Sequence, residues 1–521
     1  MNARHGASLL PSRVNKKIEG SVKHGGKAFS LSGLQPLFLS VVSILSLFAL
    51  TPLLSGCAPR EAFQVPARPT LPAVWRNQIS GDHGRFISSS NPADMHVWWT
   101  RLNDPLLTEL VEKALTKSLD IKEAIARVKE VRAQRGVSRA DLYPSIDGSA
   151  KASISRNHGD TGDGEERKLF STGLDASWEI DIFGGRRKTL EKMTATLKGA
   201  EAALSDVQVM IAGETAIAYI DLRVAQERLR VAHDHLNVQD ETLALTQARY
   251  LAGLSDELAV VQAAYNREST EARIPSLEAA VESAMNRLAV LSGGAPGLLH
   301  SKLKKAAPIP SPPRTIIMMI PTEAMRNRPD IRKAEQNLAA SIAAVGEAVA
   351  DQYPKFTLTG ALGIDSLTAG GLLDLGNRGY AYGPHISLPI FNASAIRKRI
   401  AVQDALQEQA WCQYEATLLN GFEEVENALK AYAAEHARLS SLEKAAAAAS
   451  KAEELSLSKY QAGLIDFSVV LDAQRSFLSF EDQRIESRGI VASNLVRIYK
   501  SMGGGWESAA QIEGKKQDDG L

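Results

Sequence analysis

Cysteine is nearly absent: the 521 residues contain two, Cys57 and Cys412. A disulfide framework is therefore excluded as the basis of the fold. Cys412 falls in a helical pattern and reads as a small packed residue or a free thiol. Excess charge is absent as well, since 60 basic residues balance 60 acidic ones. Nucleic-acid binders usually carry a strongly basic surplus, so that partner class is set aside. Aromatic residues make up only 6%. With Ala, Glu, Leu, Lys, Arg and Gln crowding the region after Gly185, this favours long helices over one large compact core. Signs of chemistry are missing too. The ten His show no metal-ligand spacing, and His233 and His235 do not share a helix face. Gly370-Gly371 and Gly503-Gly504-Gly505 lack the strand, turn and helix that bind phosphate. No Ser or Cys sits in a nucleophile elbow. The sequence points away from an enzyme and offers no cofactor or metal site.

Proline is absent from two long stretches, Arg186 to Tyr250 and Ile396 to Tyr460. Glycine is scarce there: Gly199 and Gly213 in the first, Gly421 in the second. Apolar positions recur at helical spacing, as in Val207, Met210, Ile211 and Ile217. Each stretch predicts a helix roughly 100 Å long at about 1.5 Å per residue. Such helices demand a rod, a coiled coil or a tube. Return helices are expected from about Ser255 to Leu291 and from Asp466 to Met502, giving helical hairpins over 186–292 and 396–502. Gly253 and Gly463 stand at the joints, where a left-handed cap needs them. Pro275 should break the first return helix, whereas Ile485 stands at the matching place in the second.

The two halves repeat each other at a spacing of 210 residues. Asp120-Ile121 recurs as Asp330-Ile331, Tyr143-Pro144 as Tyr353-Pro354, and Gly293-Gly294 as Gly503-Gly504. Tyr250-Leu-Ala-Gly253 recurs as Tyr460-Gln-Ala-Gly463. A duplicated unit is implied, with boundaries near 105–310 and 311–506. Single helices at about Pro105–Leu142 and Thr322–Gln352 lead each half into its strands, stopped by Pro144 and Pro354.

Four segments alternate with period two: about 143–156, 169–183, 353–365 and 380–391. Leu174, Ala176, Trp178 and Ile180 oppose Asp175, Ser177 and Glu179. Phe356, Leu358, Gly360 and Leu362 oppose Lys355, Thr357 and Thr359. The lengths suit either a soluble sheet with one wet face or tilted membrane strands, apolar outward and polar inward. Four strands cannot close a membrane barrel, and an open edge in lipid leaves unpaired backbone groups. In a membrane, several chains must share one barrel, and three copies would supply twelve strands.

The N-terminus combines a basic leader, an apolar run from Leu31 to Leu54, and the tetrad Leu54-Ser55-Gly56-Cys57. This reads as a secretory signal over 1–56. The tetrad resembles the bacterial lipobox, in which the Cys thiol is acylated and becomes the new N-terminus. An uncleaved anchor is the alternative, since about 20 apolar residues can span a bilayer. Ala58 rather than Asp after the Cys resembles an outer-membrane destination. Residues 57–104 are Pro-rich and read as an extended linker, with Trp98-Trp99 packing it on the body; 507–521 read as a flexible tail.

Taken in order, the lipobox-like tetrad, Trp98-Trp99-x-x-Leu102-x-Asp104-Pro105, the strands ending in Asp181-Ile-Phe-Gly-Gly185 and the two Tyr-x-x-Gly tips resemble the outer membrane factor (TolC-like) family. The similarity is to its lipoprotein branch in multidrug (RND-type) efflux and covers about 54–506. It implies an α+β membrane protein: a homotrimer with a 12-stranded outer-membrane β-barrel continuous with a periplasmic α-helical barrel. It implies the exit duct of a tripartite pump, with a periplasmic adaptor, an inner-membrane pump and outer-membrane lipid as partners. Cys57 would carry the lipid. Asp472 and Arg475 match positions that close the periplasmic end in relatives. Ser468 stands where relatives often have a bulky apolar residue, which argues against an apolar plug. Tyr250, Gly253, Leu254, Tyr460, Gly463 and Leu464 would meet the adaptor. A duct for type I protein secretion and a lipid-anchored coiled-coil spacer are the alternatives; the spacer leaves the four strands idle. No Met or His cluster supports a duct for metal ions.

Overall fold

The computed structural model describes residues 72–77, 85–89, 93–156, 166–313 and 315–506. Cys57, the leader, most of the 157–168 loop and the 507–521 tail lie outside the described residues.

The two proline-free stretches are single helices. Helix α4 spans Gly185–Leu251 and α10 spans Ala393–Gln461. The return after α4 comes in two pieces, α5 (Glu257–Glu271) and α6 (Ile274–Leu291). Pro275 sits in the first turn of α6, where its missing N–H costs nothing. Helix α11 (Phe467–Ser501) runs unbroken, as Ile485 allows.

Three expectations are corrected. The 57–104 segment is not wholly extended linker: it contains strand β1 (Arg85–Ser89), a short helix α1 (Ala93–His96) and a tight 3-10 turn over Trp98–Leu102. β1 pairs in parallel with β4 (Thr315–Met319), far along the chain. The helix read over 105–142 is two helices, α2 (Pro105–Lys117) and α3 (Leu119–Ala140), because Ser118 is extended at ψ 139°. Likewise 322–352 divides into α8 (Pro321–Asn327) and α9 (Pro329–Ala350), with a short α7 (His300–Leu303) before β4. There the reason is plain: Pro329 clashes with a helical residue before it, so Arg328 adopts ψ 123°.

These breaks fold the shorter helices around the middle of the long ones. Asp104 caps α2 by accepting from the Leu106 and Leu107 amides, and its other oxygen accepts from the Tyr219 hydroxyl at 2.6 Å. Trp98 is buried and stacks on Tyr499 at 5.5 Å, so the pair of tryptophans does pack this segment on the body. Earlier in the chain, Trp75 stacks on Phe422 at 5.1 Å and donates to the Met319 carbonyl. Around these groups the main core gathers Leu107, Leu222, Leu288, Val425, Leu429 and Leu495.

The four alternating segments form one antiparallel sheet, β2 (Ser145–Arg156), β3 (Glu166–Ile180), β5 (Lys355–Ser366) and β6 (Arg378–Ser387), in that order. The register lines up their faces. Gly148, Leu174, Leu362 and Tyr380 form one cross-strand row, and Ile146, Ala176, Gly360 and Tyr382 the next. Between them, on the opposite face, run Asp147, Asp175, Ala361 and Ala381. One face is thus apolar across all four strands, yet Ile146, Leu174, Leu362, Tyr380 and Tyr382 are exposed in the single chain. β2 and β6 are edge strands, each with one unpaired side.

Left-handed glycines end several helices, and the surroundings of three of them rank what a side chain would cost. Gly253 (φ 72°) has open space where a Cβ would lie. At Gly503 (φ 73°) a Cβ would sit 2.9 Å from the Arg328 Cα, and at Gly293 (φ 70°) it would overlap the Lys117 carbonyl. Gly253→Ala should cost about 1–2 kcal/mol from the backbone alone. Gly293→Ala and Gly503→Ala should cost roughly 1–3 kcal/mol more through overpacking. Thermal melting in detergent checks the order; equal losses at all three would contradict it.

Candidate functional site

The ends of the two hairpins are built alike. In the first, the Gly253 amide donates to the Tyr250 carbonyl at 2.9 Å and the Leu254 amide to the Arg249 carbonyl at 2.8 Å. In the second, Gly463 donates to Tyr460 at 3.0 Å and Leu464 to Lys459 at 2.9 Å. Both are helix-ending motifs that satisfy carbonyls left open by the last turn, and both use a glycine at positive φ. Asp256 then starts α5 by accepting from the Ala259 amide. Asp466 precedes α11 without a matching side-chain bond.

The tips lie against each other. Arg249 Nη1 donates to the Tyr460 and Gln461 carbonyls at 3.0 and 3.1 Å, and its guanidinium sits 4.8 Å above the Tyr460 ring. Beneath them Ala259, Ala263, Tyr460, Phe467, Val470 and Leu471 make a small apolar cluster, separate from the main core. A cleft bordered by Leu254, Asp256, Gly463 and Ser468 opens between the tips. The two tip tyrosines therefore differ. Tyr250 is 43% exposed, whereas Tyr460 is 3% exposed. Within this chain Tyr460 is a packing residue that joins the tips. Leu254 and Leu464 stand out at 68% and 73% exposed, and Leu251 is more exposed still. The sequence placed Arg249 in the tip but not its role, which depends on the register of two hairpins far apart in the chain.

The three expected gate residues share one face. Ser468, Asp472 and Arg475 are spaced four and three apart on α11 and are exposed, while Phe467, Val470, Leu471 and Gln474 turn inward. Among the described residues the Asp472 side chain makes no hydrogen bond or ion pair within its own chain. Arg475 does not pair with it; Nε donates to Asn266 Oδ1 at 3.4 Å and the guanidinium lies 5.1 Å from the Tyr265 ring. Asn266 and Gln474 are buried at this level, and nothing in an apolar-periodicity reading flags them.

Elsewhere on the second hairpin, burial pushes the Glu453 carboxyl up to about 7. Its Oε1 has no hydrogen-bond partner among the described residues. Among the described residues no three His, Cys, Asp or Glu gather as a metal site, and no helix is long and apolar enough to cross a membrane.

This arrangement has relatives. The family model for outer membrane efflux protein matches residues 110–294 and 320–504. Nodulation protein T of Rhizobium leguminosarum bv. trifolii is 31% identical over 429 residues, covering 81% of this chain and 89% of that protein. The solvent efflux pump outer membrane protein SrpC of Pseudomonas putida is 30% identical, covering 89% and 98%. The solved outer-membrane channel OprN superposes with a TM-score of 0.77 at 33% identity, covering 85% of this chain and 98% of that one. The chain belongs to the outer membrane efflux protein family. Its fold is that of the family's channels, mostly helical with a four-stranded sheet, and it acts in outer-membrane efflux as a transporter rather than an enzyme.

Two outcomes follow from the geometry. Arg249→Ala removes two hydrogen bonds and a cation–π contact, worth about 1–3 kcal/mol locally. Hydrogen exchange should speed at 457–471 and not in the strands; unchanged exchange at the tip would contradict the staple. For Glu453 the folded-state value is raised, so its contribution to stability is present at low pH and is lost as pH rises through about 7. Melting temperature should fall between about pH 4.5 and about pH 7 and change little above that, and Glu453→Gln should flatten that slope.

Proposed function

We propose that three copies of this chain form one outer-membrane exit duct for a tripartite efflux pump. The observation that carries this reading is the four-stranded sheet with two open edges and one continuous exposed apolar face. In lipid, every backbone donor and acceptor needs a partner within the protein. β6 of one copy meeting β2 of the next satisfies both edges, and three copies close twelve strands around a polar lumen. The long helices of three chains continue the tube into the periplasm. Duplication of one unit underlies this plan. It is supported by the shared order of helix, two strands and helical hairpin in each half, and by family-model matches that begin at 110 and 320, 210 apart.

Cys57 carries the lipid after removal of 1–56, and 57–104 leads from the anchor to the body. Several acyl chains together tether firmly, at about 0.8 kcal/mol per buried CH₂. The hairpin tips meet a periplasmic adaptor through Tyr250, Gly253, Leu254, Gly463 and Leu464, and the adaptor couples the duct to an inner-membrane pump. Exposed leucines at both tips support this contact. Small toxic molecules are the cargo, in keeping with a relative named for solvent efflux.

Around the trimer axis Ser468, Asp472 and Arg475 form the periplasmic constriction. Asp472, without an intrachain partner among the described residues, is available to a neighbouring copy, and small Ser468 leaves the closure to charge rather than to an apolar plug. Planar-bilayer conductance tests this. Wild-type protein should open rarely and to small currents, and Asp472→Ala/Arg475→Ala should open often and widely. No current from either protein would remove the channel, while equal currents would remove only the gate. Cys57→Ser should lose radiolabelled palmitate; retained label would place the lipid elsewhere.

A further inference from the structure

The two long helices open on the same basic run, and only one of the runs is neutralised. Arg187-Lys188 at the start of α4 recurs as Arg397-Lys398 at the start of α10, 210 positions on, and Arg399 adds a third charge. In the first run Arg187 Nε donates to Asp181 Oδ2 at 3.1 Å and Lys188 Nζ to Glu191 Oε2 at 2.6 Å. Arg186, beside them, donates to Glu179 Oε2 at 2.8 Å. The positions 210 residues after those three carboxylates hold Phe391, Ala401 and Pro389. Each counter-ion of the first run thus has an uncharged, apolar counterpart. No Asp or Glu occurs between Asp374 and Asp404. Arg397, Lys398 and Arg399 are exposed, and among the described residues Lys398 and Arg399 make no hydrogen bond or ion pair. Arg397 donates only to the Ala393 carbonyl of its own helix, at 3.4 Å.

The place of the second run says what it meets. The apolar face of the sheet continues past the end of β6 through Leu388 and Ile390 to Phe391, which is 99% exposed. Aromatic groups gather at this end of the sheet. Phe183 stacks on Tyr353 at 4.6 Å, Trp178 Nε1 donates to the Leu142 carbonyl at 3.0 Å, and Tyr143 is exposed. Tyr and Trp, apolar in body and polar at the tip, collect where a bilayer meets water. At about 1.5 Å per residue, Arg397 to Arg399 lie roughly 6–9 Å along α10 from Ala393. A headgroup layer is about 5–8 Å deep on each side of a bilayer. The run therefore falls at the depth of the phosphates, with Ile390 and Phe391 at the depth of the acyl chains. Successive side chains stand about 100° apart on a helix, so the three cations fan over the side away from buried Ile396 and Ile400. Uncompensated cations at that depth match an anionic headgroup, and a guanidinium can hold a phosphate through two parallel hydrogen bonds.

We propose that Arg397-Lys398-Arg399, with Ile390 and Phe391, is a collar that binds anionic glycerophospholipid of the periplasmic leaflet. The inference rests on the membrane reading above. The acyl chains lie against Ile390 and Phe391, and the phosphates sit among the three cations. The run at Arg187-Lys188, already paired within the chain, takes no lipid.

Native mass spectrometry of the full lipidated assembly, titrated in detergent with phosphatidylglycerol or with phosphatidylcholine of the same acyl chains, tests the collar. Wild-type protein should prefer phosphatidylglycerol by about fivefold for each cation engaged. Arg397→Gln/Lys398→Gln/Arg399→Gln should lose the preference and keep the number of chains. Lys430→Gln/Lys444→Gln/Lys451→Gln, which removes as many exposed charges from farther along α10, should keep the preference. Ala401→Glu serves if the triple variant fails to assemble. Ala401 is exposed, and a carboxylate there gives Lys398 the partner that Glu191 gives Lys188, so the preference should fall about fivefold. A preference absent from the wild type, or undiminished in Ala401→Glu and the triple variant, overturns the proposal. Loss of chains from the triple variant, with the preference undiminished in Ala401→Glu, assigns the run to a neighbouring copy and overturns it too. If the wild type holds no three-chain assembly, the channel reading fails and the collar with it; if three chains assemble without the preference, only the collar fails.

Discussion

An unpaired backbone edge cannot rest in hydrocarbon, and the organisation proposed for this protein depends on that constraint. Each exposed N–H or C=O in lipid costs several kcal/mol. Among the described residues, one chain supplies a four-stranded sheet whose β2 and β6 edges are open and whose apolar face is exposed. In the proposed trimer the chain supplies one third of a barrel. The register makes the fragment usable: Leu174 with Leu362 and Tyr380 lies on one face, and Asp175 with Ala361 and Ala381 on the other. A slip of one residue would turn a strand's apolar side chains to the opposite, polar face.

The helical part answers a different need. Helices α4 and α10, of 67 and 69 residues, far exceed what a compact domain can bury. Their stability comes from side-by-side packing, concentrated in the main core around Trp98, Tyr219 and Tyr499. Farther down, apolar packing thins to a polar stripe and then resumes as a small cluster at the tips. Arg249 binds the two tips, so they present one surface rather than two.

Much of this was legible in the residues. Period-two alternation placed four strands to within a few positions, and the absence of proline placed the long helices. Gly253 and Gly463 announced left-handed caps, and Pro275 announced the break that Ile485 lacks. Illegible features share a cause, which is dependence on distant partners. β1 is five residues long and finds β4 only in three dimensions. Tyr250 and Tyr460 occupy matching places, yet only Tyr460 is covered, because Arg249 reaches across to one and not the other. The buried polar stripe of His235, Gln239, Thr242 and Thr246 on α4 escaped a reading that searches for apolar periodicity, although its spacing is regular. The break at Ser118 has no proline to announce it, while Pro329 does announce the one at Arg328.

The central claim is that the open edges are closed by copies of the same chain. Native mass spectrometry of the lipidated protein, released from detergent micelles, tests it directly. The account predicts a single species of three chains that resists dilution, since breaking it exposes six strand edges. A monomer that persists at membrane-like concentration, or an assembly of any other number, would contradict the twelve-stranded barrel.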